Sequence, residues 1–166
     1  MIRADFDAAS AAVRSAILHG DGPLPPAFVI EFLLRAWRDY LALTHSAQGE
    51  NSDDWHAAIR TAEDLLRSVR PMASARELGE LCASVRSLIA ELRKGMRIAC
   101  VPVDRQAAWL QRLGELHLSL MRQAPAEPRA ASDADYLDTI NMEMTDPRYQ
   151  RFLQMIGGAQ FERIEM

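Results

Sequence analysis

The sequence predicts an all-α protein: an antiparallel bundle of five helices with the helix over 26–47 at its centre, then an appended helical tail. Three observations predict it. Apolar residues recur at steps of three and four, and the alternation expected of strands is missing. Capping and stop residues bracket each periodic segment. With 166 residues, 49% hydrophobic and 25% charged, the chain suffices for one domain with a sizeable core and is short for two.

The first helix is expected over 4–19, with Phe6, Ala9, Val13, Ala16 and Ile17 inward. Gly20-Asp21-Gly22-Pro23 ends it. The second begins near Pro26. Phe28, Val29, Phe32, Leu33, Leu34, Trp37, Tyr40, Leu41 and Leu43 cover more than half of its circumference. A surface helix needs an apolar stripe of only about 100°, so this one is expected at the centre. The third follows Asn51-Ser52-Asp53-Asp54, whose acids suit the positive end of a helix dipole, and Pro71 stops it. Its stripe is Trp55, Ile59, Ala62, Leu65, Leu66 and Val69.

The fourth opens with the capping box Ser74-Ala75-Arg76-Glu77. Leu78, Leu81, Val85, Leu88 and Leu92 line it, Cys82 flanks them, and Gly95 is expected as its left-handed cap. Arg93 and Lys94 would complement that end. Asp104 is expected to cap the fifth, which carries Trp109, Leu110, Leu113, Leu116, Leu120 and Met121. Helices two to five are expected to form the core.

Charge divides the chain. Residues 1–123 hold 15 basic and 15 acidic side chains, whereas 124–166 hold 4 and 8. The net charge of −4 therefore belongs to the last quarter. The expected organisation is a bundle over 1–123, a Pro/Ala/Ser linker over 124–135 and an acidic tail over 136–166. In the tail, Asp146-Pro147 and Gly157-Gly158 bracket a short amphipathic helix whose stripe is Tyr149, Phe152, Leu153 and Ile156. A weaker helical pattern, Tyr136, Leu137, Ile140 and Met144, precedes it. Short helices need a surface to dock on, so the stripe is the candidate contact for a protein partner or for self-association.

Several function classes are not expected. No apolar run nears the ~20 residues of a membrane span. The N-terminus, with Asp5 and Asp7, does not read as a secretory signal. Cys82 and Cys100 make no disulfide framework or metal spacing, which favours a cytoplasmic setting. The 18 arginines are dispersed and charge-compensated, so DNA binding is not expected. Metal and cofactor are expected to be absent, and a small-molecule ligand is not expected. His117 reads as a buried, hydrogen-bonded core histidine. His19 and His45 lie near helix C-termini, where imidazolium suits the dipole. No residues converge into a catalytic pattern.

The run PAFVIEFLLRAWRDYLA over Pro26–Ala42, Asp64-Leu65-Leu66-Arg67-Ser68-Val69-Arg70-Pro71 and Leu92-Arg93-Lys94-Gly95 resembles a large bacterial family. It is the family called domain of unknown function 1631, sometimes labelled thymidine phosphorylase. The resemblance covers about 23–123. No phosphate loop or parallel-sheet pattern supports the phosphorylase label. Some members of that family carry a region resembling a cyclic-di-GMP-binding PilZ domain. Against that background Arg93 and Arg97, spaced as Arg-x-x-x-Arg, are weak ligand candidates, and so is His56, which a phosphotransfer bundle would use. The leading expectation is a non-catalytic helical module for protein–protein interaction or regulation. The alternatives are a signalling domain linked to cyclic dinucleotides and an unrecognised enzyme.

Overall fold

A computed structural model describes residues 3–125. It holds five helices: α1 Arg3–Leu18, α2 over 27–48, α3 Asp53–Ser68, α4 Ala75–Ile98 and α5 Val103–Gln123. In α2, a π-helical turn Leu33–Trp37 joins the α-helical pieces Ala27–Phe32 and Arg38–Gln48. The described residues contain no strand, so the chain is all-α as its periodicity predicts. The tail and its stripe Tyr149, Phe152, Leu153 and Ile156 lie outside the described residues, as does the linker beyond 125.

Local chemistry sets most helix ends. Ser52 Oγ accepts from Trp55 N at 3.2 Å to start α3. Ser74 Oγ accepts from Glu77 N at 3.3 Å, and the Glu77 carboxylate accepts from Ala73 N at 2.7 Å. This is the expected capping box with its return arm one residue further back. Gly49, with φ of 81°, ends α2, and its N–H bonds to His45 O. Asp104 does not cap α5. Pro102 holds that position, because its fixed φ suits a helix entry, and Asp104 falls in the first turn.

Gly95 is likewise not a cap. It lies buried inside α4, which continues to Ile98 with Arg97 in its last turn. A Cβ on Gly95 would meet the Trp37 ring, with Cη2 at 2.7 Å, and Tyr40 Cδ1 at 2.9 Å. The glycine is there so that α4 can approach α2. The left-handed residue after α4 is Cys100, with φ of 55°. Val101 N bonds to Met96 O at 2.9 Å and Cys100 N to Arg97 O at 3.1 Å. Those two bonds form a Schellman motif built without glycine.

The core is centred on α2, as its apolar girth predicts. Trp37 is buried, and its Nε1–H donates to Ala58 O on α3 at 3.0 Å. Trp109 of α5 stacks on Phe32, with ring centroids 3.9 Å apart. Leu33, Leu65, Leu92 and Leu113 are fully buried. Each contributes roughly 1.5–3 kcal/mol relative to exposure. Cys82 is only half-buried. The core also includes α1, contrary to the expectation of a four-helix core. Ala9 and Val13 are 0% and 1% exposed and belong to the same cluster. Small side chains bring α1 close enough to join the core.

Candidate functional site

A groove opens where α1 stops and α3 ends. α1 cannot continue through Gly20-Asp21-Gly22-Pro23, and Gly22 takes a φ of 105°. Pro71 stops α3, leaving Arg70 just beyond its last turn. The Arg70 side chain lies across the two glycines. Its Nη2 is 2.9 Å from where a Cβ on Gly20 would sit, and its Cδ is 3.7 Å from the same point on Gly22. A side chain at residue 20 would displace the guanidinium.

Two open hollows adjoin along this line, of about 360 and 140 Å³, and share Gly20, Asp21, Leu66 and Arg70. The first is polar, with Ser15, His19, Glu63 and Arg67 on its walls. The second is mixed, with Ile17, Leu18, Pro23, Leu24 and Pro25 beside Asp21 and Arg70. Leu18 and Leu24 are 78% and 81% exposed. Arg67 pairs with Asp64 at 2.9 Å, and His19 Nδ1–H donates to Ser15 O at 2.8 Å. Among the described residues the Arg70 guanidinium makes no hydrogen bond or ion pair. An arginine in this state beside exposed leucines has the chemistry to bind a carboxylate next to an apolar side chain.

Buried ionisable groups elsewhere tie helices together. The His45 imidazole Nδ1–H donates to Asp5 Oδ1 at 2.6 Å, joining the end of α2 to the start of α1, and the ring meets the edge of Trp55. His117 of α5 is 1% exposed, and its Nε2 lies 3.0 Å from Ser68 Oγ on α3. Ser68 already donates to Leu65 O at 2.8 Å, so it accepts from Nε2–H. That choice leaves Nδ1 as a bare acceptor, and it has no partner among the described residues. Burial pushes the His117 pKa down to about 4 and raises that of the Tyr40 phenol. His117 is therefore neutral at pH 7.

The described residues singled out by sequence fall on two different helices. Arg93 is half-buried on α4, Arg97 is exposed three residues on from Lys94, and His56 is exposed on α3. None of them lines either hollow. Among the described residues no group of three or more His, Cys, Asp or Glu side chains could hold a metal ion, and no helix is long and apolar enough to cross a membrane. Arg70, Gly20 and Leu24 were not anticipated as site residues. A leucine held between Pro23 and Pro25 in a turn was the available signal.

Residues 3–114 match the family model described as the third domain of the DUF1631 proteins of unknown function. The chain belongs to the DUF1631 family. The match reaches back through α1, where sequence motifs alone placed the resemblance at about 23–123. α1 is thus part of the DUF1631 third domain, in keeping with its place in the core. Its small residues carry little that is recognisable by eye. Both flanks of the groove, 12–25 and 59–70, lie inside the matched span. No match was found among curated proteins or among solved structures.

Proposed function

We propose that this DUF1631 third domain is a non-catalytic helical module for protein–protein interaction or regulation, acting in the cytoplasm. The observation that carries the reading is the groove: exposed Leu18 and Leu24 beside an Arg70 with no ion pair among the described residues. An arginine beside exposed apolar side chains suits an interface, and α1 and α3 supply the walls of the groove on either side. Two cysteines with no disulfide framework in their spacing suit a reducing compartment. In this reading the acidic tail contributes a second contact through Tyr149, Phe152, Leu153 and Ile156, either with a partner or with a second copy.

Photo-cross-linking in cells tests it, with a photoreactive residue placed at Leu24 of the full chain. Val103, also 81% exposed but at the start of α5, is the control site. The expected result is a discrete set of protein adducts from Leu24 that Val103 does not give and that Arg70→Glu depletes. Identical adducts from both sites, or no adduct from Leu24, would overturn the reading.

A further inference from the structure

We infer that the groove is a self-regulating site, filled in the resting chain by the chain's own acidic segment, residues 133–146. The inference rests on the groove being an interaction surface and names its first occupant.

Three observations point to that segment. The first is charge. Between 133 and 146 stand Asp133, Asp135, Asp138, Glu143 and Asp146, with no lysine or arginine among them. Arg70 lines both hollows of the groove, and Leu18 and Leu24 line the second with it. Its own acids do not satisfy Arg70: Asp21 and Glu63 line the walls, yet neither pairs with it. The nearby Arg67 is held by Asp64.

The second is pattern. Tyr136, Leu137 and Ile140 stand among these carboxylates. One segment therefore offers an apolar side chain to Leu18 and Leu24 and a carboxylate to Arg70.

The third is reach. The Ser68–His117 contact puts the end of α3 beside the last third of α5. Arg70 lies two residues beyond Ser68, and Gln123, where α5 ends, lies six beyond His117. The path from Gln123 to Arg70 is thus under roughly 30 Å at 1.5 Å per helical residue and 3.8 Å per Cα step. Ten residues, 124–133, have a fully extended length of about 33 Å. Tethering makes this contact intramolecular, which favours it over the same contact made by a separate chain. An outside partner must then displace the segment.

The test uses the purified full chain at low concentration with the photoreactive residue at Leu24 and no other protein present. The expected product is an intramolecular adduct mapping by mass spectrometry to 133–146. Its yield should fall about fivefold in Arg70→Glu, the loss of a contact near 1 kcal/mol. It should return when Asp135→Lys and Asp138→Lys are added to Arg70→Glu. An adduct between two chains, an adduct elsewhere in the chain, or no adduct would overturn the inference. Those results leave the interaction reading standing if cellular adducts at Leu24 still depend on Arg70. Loss of the cellular adducts as well would remove both.

Discussion

Acidification should destabilise this domain through one side chain, His117. The imidazole is buried against Ser68, and its pKa in the folded chain is about 4, against an ordinary 6.5. Above pH 6.5 the group is neutral in both folded and unfolded chains, and the folded state keeps its full stability. Between pH 6.5 and about 4 the unfolded chain takes up a proton that the folded one refuses. Stability then falls as pH falls, by about 1.4 kcal/mol per unit. Over the whole interval the loss is roughly 3 kcal/mol, a large share of the ~5–15 kcal/mol typical of a domain.

Urea unfolding followed by tryptophan fluorescence, from about pH 7.5 to about pH 4.5, measures this loss. His117→Leu provides the reference. Leucine nearly conserves volume, and Ser68 keeps its bond to Leu65 O. Carboxylate contributions are shared by both proteins and cancel in the difference. The parent should lose about 2–3 kcal/mol more than the variant across that range. Parallel stability curves would refute the reasoning, and so would the assigned His117 imidazole resonance of the folded chain titrating near 6.5.

Three other substitutions follow from the packing. Gly95→Ala should cost about 1–3 kcal/mol in urea unfolding, because the new methyl group meets the buried Trp37 ring and neither helix can retreat cheaply. Cys100→Gly should raise stability by about 0.5–1 kcal/mol, since the residue sits at a φ of 55° that glycine adopts without strain, less glycine's own entropy cost. Asp5→Asn should cost about 1–2 kcal/mol and speed amide exchange in α1 ahead of the other helices, because it weakens the charge-assisted bond to His45.

Helix number, helix order and the central place of α2 were legible in the sequence, because helix formation and burial patterning are local. Ser52 and Ser74 cap where their spacing to the following turn says they should. Trp37, Leu65, Leu92 and Leu113 are buried where a 3.6-residue period puts them. Gly95 and Cys100 show the boundary of that reasoning. A glycine near a helix end and a glycine under an indole read alike in one dimension, and only the approach of α4 to α2 tells them apart. The small residues of α1 said that something could come close, without saying that α2 would.

The candidate site was less legible for the same reason. Arg93 and Arg97 stand out by their spacing in one helix and His56 as a lone histidine on another, yet neither described hollow is built from them. The groove takes one wall from 12–25 and another from 59–70, and its Arg70 matters because two glycines about fifty residues earlier lie beneath it. The sequence by itself determined which segments become helices, which faces turn inward and that the acidic excess falls after residue 123. Only the tertiary structure decided which helices touch, that Asp5 meets His45 and Ser68 meets His117, and that Arg70 stands beside exposed leucines. Periodicity reports how much of a residue is buried, whereas a site depends on which residues are neighbours, and neighbours are chosen by the packing of whole helices.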